Sequence, residues 1–405
     1  MMRETMEFAD ARDLLLGRVA PLGAERVALH DCAGRVLADD LIAAENIPPF
    51  DRSPYDGYAF RAQDTQGTSG EQPVTLAILE EIPAGATPTR EIVPGTAAKI
   101  LTGAPIPPGA DCVCMYEKTA FTKETVTLFA PMRPGENVVR AGEDVKKGAV
   151  LARRGDVIDT GIAGTLCAQG EAQPRVYRRV RVGIISTGNE VVEAETAPPP
   201  GKIRNSNRHA LAAALQKEGM EPVYLGLAGD DTQNIARLIE KGLASCDAVL
   251  LTGGVSVGDY DLTPAAMESA GIELLVRGVN LKPGMACAYG VRDGKPVCGL
   301  SGNPASALTN FYCIALPVLR KLAGHSAPIP PEITVRLHNG FRKKSPGTRV
   351  LRGRLDLSDG TAMMMLPEDQ GNVVLSSTIG CNVMAIVPAG SGALPEGTVL
   401  KGFVL

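Results

Sequence analysis

Tryptophan is absent from this chain of 405 residues, and aromatic side chains make up only 4% of it. So few aromatic rings argue against a protein that binds nucleic acids by stacking bases on exposed side chains. The formal net charge is −4. This charge lacks the basic excess that proteins use to bind nucleic acids or anionic membranes. We therefore expect neither nucleic acid nor a membrane as a partner.

Disulfide and zinc-binding patterns are also missing. The nine cysteines are odd in number, form no Cys-x-x-Cys pair and stand partly in apolar runs, as Cys298 does. We expect buried, reduced thiols, and the four scattered histidines have no zinc-like spacing. The N-terminal segment has no apolar core of a signal peptide, and no apolar run is long enough to span a bilayer. These absences predict a cytoplasmic protein, and the length predicts roughly two to four domains.

The character of the sequence changes several times along the chain. Residues 7–20 have helical spacing and are followed by a stretch with no single periodicity. Short β-type runs separated by Gly/Pro turns then continue up to about residue 142. This order predicts a multidomain α/β plus all-β protein in which one β domain is inserted into another domain. The predicted domains are an elongated mixed α/β region at 1–48 and 143–177, an inserted β domain at 49–142, a doubly wound α/β domain at 178–326 and a small C-terminal β-barrel-like domain at 327–405.

The α/β prediction depends on apolar strand-like runs that alternate with helical patterns. Runs such as VRVGIIS (180–186) and DAVLLT (247–252) are short and rich in branched residues, as in buried parallel strands. Helical patterns follow at 206–218 and 233–244, and a long helix is expected over 304–322. Alternation with short connections predicts a parallel sheet covered by helices on both faces.

Three predicted strands of this sheet run into loops rich in glycine and small polar residues: TGNE at 187–190, TGGVSVGDYD at 252–261 and SGNPASA at 301–307. Ligands of open parallel sheets bind at the carboxyl ends of the strands. Glycines let the backbone approach a ligand, and their N–H groups can surround an anion. The third loop also begins a helix, whose N-terminus favours phosphate. The candidate phosphate-binding residues are Thr187, Gly188, Gly253, Gly254, Ser256, Gly258, Ser301, Gly302, Asn303 and Pro304.

Charged residues accompany the three loops. Because carboxylates would repel a phosphate, the acidic residues indicate an intervening Mg²⁺. Each acidic residue could instead be a solvated loop residue or a helix cap. We expect this alternative to hold for either Asp230 or Asp231. Lys282, at a strand end before Pro-Gly, is the best basic candidate, although a solvated lysine is an equal alternative. The acidic candidates are Glu190, Asp230, Asp231, Asp259 and Asp261. No Walker A or dinucleotide-binding motif fits these loops.

With these residues in place, the chain resembles the molybdopterin molybdenumtransferase family, which includes the MoeA proteins and the E domain of gephyrin. The resemblance covers nearly the whole chain in order and spacing. The shared motifs are PPFDRSPYDGYAF, KILTGAPIPPGAD, NVVRAGEDVKKG, STGNE, GKIRNSN, LTGGVSVGDYD, LKPG and SGNPASA.

The resemblance implies an enzyme that inserts molybdenum, supplied as molybdate, into adenylylated molybdopterin and releases AMP with the help of Mg²⁺. It also implies a MogA-like central domain and a homodimer whose active site lies between subunits. The substrate is expected from a molybdopterin adenylyltransferase. The resemblance assigns catalytic roles to Asp56, Thr102, Asp144 and Glu190, metal binding to Asp261 and Glu190, and substrate binding to Asp230, Lys282 and the loop residues above.

Three positions depart from the family pattern. Lysines that accompany Lys-Pro-Gly in the best-known members are replaced by Gly278 and Met285, and Ser301 stands where a proline is usual. Basic anchoring of an anionic substrate is therefore expected to be thinner. Alternatives are a paralogue specialised for tungsten, a non-catalytic pterin-binding or scaffold protein, and an unrelated phosphate-binding enzyme of the same fold class.

Overall fold

A computed structural model describes residues 6–255, 262–358 and 360–405. The chain forms two compact units. The first contains the segments Met1–Asp39, Arg154–Asp159 and Gln173–Leu405, and the second contains Asp40–Arg153 and Thr160–Ala172. The finer division into four domains stays a prediction.

The helices follow the predicted segments; the first and third are shorter than predicted, and the fourth is one residue longer at each end. They are α1 Phe8–Leu16, α2 Thr160–Ala168, α3 Ser206–Lys217, α4 Thr232–Ser245, α5 Thr263–Ser269, α6 Pro304–Asn310 and α7 Leu316–Leu322. The long helix expected over 304–322 is present, but a π-helical turn at Phe311–Ala315 joins α6 to α7. Pro317 follows that turn and has no N–H to donate, which accounts for the irregular ladder at this point. No helix in the described parts of the chain is long and apolar enough to cross a membrane.

Strands account for most of the remaining regular structure. Those up to residue 187 are β1 Met6–Glu7, β2 Ala24–Arg26, β3 Leu41–Ile42, β4 Gly57–Phe60, β5 Val74–Ile82, β6 Thr96–Ile100, β7 Cys112–Met115, β8 Thr119–Phe121, β9 Thr125–Leu128, β10 Val150–Ala152, β11 Arg175–Tyr177 and β12 Arg181–Thr187. The later ones are β13 Val191–Val192, β14 Ile203–Arg204, β15 Glu221–Ala228, β16 Ala248–Thr252, β17 Glu273–Arg277, β18 Val279–Asn280, β19 Ala288–Arg292, β20 Lys295–Leu300, β21 Ile333–Leu337, β22 Arg349–Asp356, β23 Met363–Met365, β24 Val383–Val387 and β25 Val399–Val404.

The central sheet of the first unit has the strand order β15-β12-β16-β20-β19-β17. The pairings that join β15, β12, β16 and β20 are parallel, as predicted, whereas β19 pairs antiparallel with both of its neighbours. The pattern analysis did not predict β19. Its hairpin to β20 turns at Asp293-Gly294, where both residues have positive φ, as the two-residue turns of hairpins require.

Helices cover both faces of this sheet, which confirms the doubly wound prediction. Alternate residues of a strand point to opposite faces. In β12, Ile184 belongs to the apolar core that includes residues of α1, α3 and α7, whereas Ile185 belongs to the core that includes residues of α4 and α5. Both side chains are almost completely buried. The sheet is therefore held between two separate hydrophobic layers.

The C-terminal part of the first unit is a closed barrel of the strands β21-β23-β22-β24-β25, as the sequence predicted. Its own apolar core includes Val335, Leu351 and Met364. In the second unit, six strands form a sheet in the order β7-β4-β6-β5-β9-β8. Adjacent residues Tyr58 and Ala59 of β4 bury into different apolar clusters, so this sheet is also covered on both faces.

Candidate active site

The three glycine-rich loops meet at the carboxyl ends of β12, β16 and β20. The Gly253 N–H donates to the Leu300 carbonyl at 3.1 Å, and the Thr187 hydroxyl donates to the Thr252 carbonyl at 3.1 Å. A cavity of about 480 Å³ opens between the loops. Among the residues that line it are Thr187, Glu190, Gly253, Gly254, Ser301, Gly302, Asn303 and Pro304. The predicted convergence of the loops is thus present in the structure.

Glycine is required by the backbone at Gly253 and Gly254, where φ is +99° and +64°. A Cβ at Gly253 would also stand 2.6 Å from Thr187 Oγ1, and one at Gly254 would stand 2.8 Å from Thr263 Oγ1. Gly302 differs, because its φ is ordinary and the nearest atom to an added Cβ is 3.5 Å away. The loop after β16 therefore depends on its glycines, while the loop after β20 tolerates a side chain at this position.

Several polar groups that the sequence offered to a ligand are bonded within the protein. The buried Thr187 hydroxyl donates to a neighbouring strand, and Ser301 Oγ accepts from the Asn303 N–H at 3.3 Å. Asn303 takes the N-cap position of α6, but its side chain makes no capping hydrogen bond. The Ala305 N–H donates to the Asn372 carbonyl of the barrel at 3.1 Å. Fewer donors than expected are therefore left free at this helix start.

The acidic candidates separate into two groups. Asp231 caps α4 by accepting from the Gln233 N–H at 2.9 Å, so the helix-cap alternative holds for Asp231. Asp230 and Asn189 exchange hydrogen bonds of 3.2 and 3.4 Å, which fixes the loop after β12. Ser256, Gly258, Asp259 and Asp261 lie outside the described residues.

Glu190 is exposed and supplies a carboxylate to the 480 Å³ cavity. Across the described ranges, no group of three or more His, Cys, Asp or Glu side chains could hold a metal ion. Mg²⁺ in phosphate sites needs only one or two carboxylates, with substrate oxygens and water as its other ligands. A single carboxylate beside backbone N–H groups fits that requirement.

A second cavity of about 530 Å³ adjoins the first and shares Ala286, Ser301 and Asn303 with it. Three of its lining residues are basic: Lys282, Lys343 and Arg349. The backbone of Lys282 is fixed to the barrel, because it donates to the Thr348 carbonyl and accepts from the Val350 N–H, both at 2.9 Å. The sequence prediction included only Lys282 of these three.

Arg349 begins β22 and is 5% exposed. Its Nε donates to Ser345 Oγ at 2.9 Å, and its guanidinium lies 5.1 Å from the centre of the Phe341 ring. No ion pair to Arg349 occurs among the described residues, and burial lowers the pKa of this guanidinium. A buried cation that lines a cavity without a carboxylate partner is suited to bind an anion.

Gly278 and Met285, which replace lysines of the family pattern, differ in backbone conformation and exposure. Gly278 is buried with φ of +82°, and its N–H donates to the Cys287 carbonyl at 2.9 Å, so a lysine here would be strained. Met285 is 57% exposed and lines the basic cavity, where a lysine would fit. The barrel residues Lys343 and Arg349 supply the positive charge that these two positions lack.

Of the three predicted catalytic residues in the second unit, Asp56 and Thr102 are in contact, and Asp144 lies in a different turn. Asp56 Oδ1 accepts from both the N–H and the hydroxyl of Thr102, each at 2.7 Å. The Thr102 N–H, and then its hydroxyl, hold the pKa of the exposed Asp56 carboxyl below its usual value. Asp144 lies in another turn, where its N–H donates to the Ile47 carbonyl at 3.0 Å. Within the described chain, no hydrogen bond joins Asp144 to Asp56 or Thr102.

Comparisons with known proteins agree with this architecture. Residues 6–170 match the family described as MoeA N-terminal region (domain I and II), and residues 183–321 match the probable molybdopterin binding domain. A structure of the molybdopterin biosynthesis MoeA protein from Pyrococcus horikoshii OT3 has a TM-score of 0.86 at 30% identity, covering 99% of this chain and 100% of that one.

Two relatives named molybdopterin molybdenumtransferase show the same similarity in sequence. The one from Staphylococcus epidermidis is 34% identical over 92% of this chain and 89% of its own length. The one from Staphylococcus aureus is 32% identical over 98% of this chain and 94% of its own length. The names of these relatives do not support the alternatives of a scaffold protein, a paralogue specialised for tungsten or an unrelated phosphate-binding enzyme. By this identity over nearly its full length, the chain belongs to the molybdopterin molybdenumtransferase family of molybdenum cofactor biosynthesis.

Proposed function

We propose that this protein inserts molybdenum, supplied as molybdate, into the dithiolene of adenylylated molybdopterin and releases AMP. The observation that carries the proposal is the pair of adjoining cavities at the sheet edge. One is walled by glycine loops with a carboxylate, and the other by three basic side chains. Such a pair suits a long anionic ligand that has a nucleotide at one end and meets a second anion at the other.

The glycine loops would hold the nucleotide end. The backbone of the loops at 253–254 and 301–303 can approach the diphosphate closely, because the glycines leave no side chains in the way. Glu190, together with Asp261, would hold Mg²⁺, which stabilises the negative charge that develops on the departing AMP. Asp230 supports the proposal indirectly, since its contacts with Asn189 fix the loop that carries Glu190.

The basic cavity would attract molybdate and the anionic part of the pterin. Lys282 comes from the loop between β18 and β19, whereas Lys343 and Arg349 come from the barrel. Arg349 is the strongest candidate, because its burial removes competition from water while no carboxylate neutralises it among the described residues.

The proton chemistry is assigned to Asp56, Thr102 and Asp144, supplied by the second subunit of a homodimer. Dithiolene sulfurs must lose protons as they bind molybdenum, and an oxygen of molybdate must gain them to leave as water. A carboxylate whose pKa is held low by Thr102 is ionised and can accept such a proton before passing it to the oxygen. Asp144 would orient molybdate or the water.

The location of the protein, its oligomeric state and the enzyme that supplies its substrate are also proposals. We infer a cytoplasmic homodimer that receives its substrate from a molybdopterin adenylyltransferase. Light scattering on the purified protein measures the dimer directly. Pull-down with that adenylyltransferase tests the transfer between the two enzymes.

The deciding experiment incubates the purified protein with adenylylated molybdopterin, Mg²⁺ and molybdate, and measures AMP by chromatography. We expect AMP and metallated cofactor in equal amounts, and neither product when molybdate or Mg²⁺ is omitted. Tight substrate binding without AMP release would overturn the enzymatic proposal. Competition between tungstate and molybdate in the same assay measures the preference for the metal.

A further inference from the structure

Arg352, on β22 of the barrel, is a charged side chain that no part of the proposed chemistry uses. It is 2% exposed. Its Nη2 donates to the Gly371 carbonyl at 2.9 Å and to the Asp369 carbonyl at 3.3 Å, and its Nε donates to Ser377 Oγ at 2.9 Å. No ion pair to Arg352 occurs in the described parts of the chain. The guanidinium thus donates to carbonyl groups of one loop and to the Ser377 hydroxyl.

Gln370, in that loop, binds the backbone of Arg352 in return. Its Nε2 donates to the Arg352 carbonyl at 2.8 Å, and its Oε1 accepts from the Arg352 N–H at 3.2 Å. Both side chains are buried, so these contacts are shielded from water. The loop 369–373, named here the cover segment, is therefore fixed to β22 by hydrogen bonds in both directions.

The cover segment contributes to both cavities of the candidate site. Gln370, Gly371 and Asn372 line the basic cavity, and Val373 lines the glycine-walled cavity. The Asn372 carbonyl accepts the Ala305 N–H at the start of α6. The segment thus spans the join between the two cavities and touches the loop after β20.

The choice of arginine has a physical reason. A guanidinium is planar and presents several N–H donors in a fixed fork, so one side chain can hold carbonyls of successive residues at once. A lysine ammonium has the charge without the fork. Burying a cation costs free energy unless its donors are satisfied, and here the cover segment satisfies them. The position of the segment and the burial of the cation therefore depend on each other.

We propose that Arg352 is a positioning residue that holds the cover segment against the two cavities and so sets the affinity for the pterin nucleotide. The inference rests on the proposed function and assigns to the barrel a part in substrate binding. Arg352 itself touches no reacting atom. Its loss should therefore weaken substrate binding and leave the chemical step almost unchanged.

The test compares Arg352→Lys with Arg336→Lys in the full-length protein. Arg336 lies on β21 of the same barrel, is exposed and also donates to a carbonyl, that of Gly397 at 3.0 Å. Among the described residues, its side chain has no hydrogen bond to the cover segment. We expect Arg352→Lys to raise KM for adenylylated molybdopterin by about 10- to 100-fold with kcat within about twofold. Hydrogen exchange should accelerate at residues 370–373 in this variant, and Arg336→Lys should match the wild type in both measurements.

Ser377→Ala gives a second route if Arg352→Lys does not fold. It removes one acceptor of the guanidinium and leaves the cation in place. Faster exchange in the cover segment with an unchanged KM would overturn the inference, as would a loss of kcat with KM retained. A wild-type protein that releases no AMP would overturn the proposed function instead. Calorimetry with AMP as the probe then still compares binding by the wild type and the variant.

Discussion

The glycine loops of the first unit and the Asp56 turn of the second unit present polar groups in different ways. In the loops, positive φ at Gly253 and Gly254 shapes the backbone, and the hydroxyls of Thr187 and Ser301 are hydrogen-bonded to backbone groups. In the turn, a single exposed carboxylate is aimed by two bonds from Thr102. The first arrangement suits binding of an extended anion, and the second suits transfer of a proton. Substitutions in each region test this difference.

Asp56→Ala should have the largest effect, because it removes the proposed proton carrier. We expect kcat for AMP release to fall by about 100- to 10,000-fold while nucleotide binding stays within about threefold. Stopped assays and calorimetry measure the two quantities. Asp64→Ala is the matched control, since Asp64 also accepts a backbone N–H in the second unit, that of Gly95 at 3.0 Å. Equal turnover by wild type and Asp56→Ala would refute the role of this residue.

Gly253→Ala should be the next largest change, because it acts on the backbone of the binding loops. A Cβ at φ +99° and 2.6 Å from Thr187 Oγ1 should lower the free energy of unfolding by about 1–3 kcal/mol and weaken nucleotide binding. Denaturant unfolding measures the first effect. Gly302→Ala should leave stability unchanged, and equal losses in both variants would contradict the different roles given to the two loops.

Lys343→Ala tests the basic cavity, of which the sequence analysis predicted only Lys282 among the basic residues. Loss of a charge that faces the substrate should raise KM about tenfold, corresponding to roughly 1.4 kcal/mol. The effect should shrink as salt is added. Its neighbour Lys344 does not line the cavity, so Lys344→Ala should stay near the wild-type KM. If both variants behave alike, general surface charge rather than the cavity attracts the substrate.

Thr102→Val should have the smallest effect at neutral pH and a visible one in acid. The pKa of Asp56 is lowered in the folded protein, so the carboxylate is active above that pKa and loses activity as pH falls through it. Removing the Thr102 hydroxyl raises that pKa, and the acidic limb of kcat/KM should move to higher pH. Thr127→Val, on β9 of the same unit, is the control. An unmoved limb would show that Asp56 does not govern it.

Sequence reasoning located the strand-end site because a topological rule brings together loops that follow parallel strands. It missed β19, although the Asp293-Gly294 turn was a readable hairpin signal. It also missed Lys343 and Arg349, since their place at the site depends on how the barrel packs against the sheet. Asp56 alone reads as an ordinary turn residue, and only the family resemblance raised it above that. Local patterns thus predicted the elements, but not the contacts between distant segments.

The N-terminal strand and α1 are synthesised long before the residues with which they pair and pack. Met6 pairs with Val279, and Phe8 and Leu15 of α1 belong to a core shared with residues beyond 280. At about 5–20 residues per second, a ribosome needs roughly 15–60 s to make the chain between them. The second unit is almost contiguous in sequence and can fold during that interval. The apolar face of α1 meanwhile lacks the residues beyond 280 that complete its core, so we expect chaperones to bind the nascent chain during this interval.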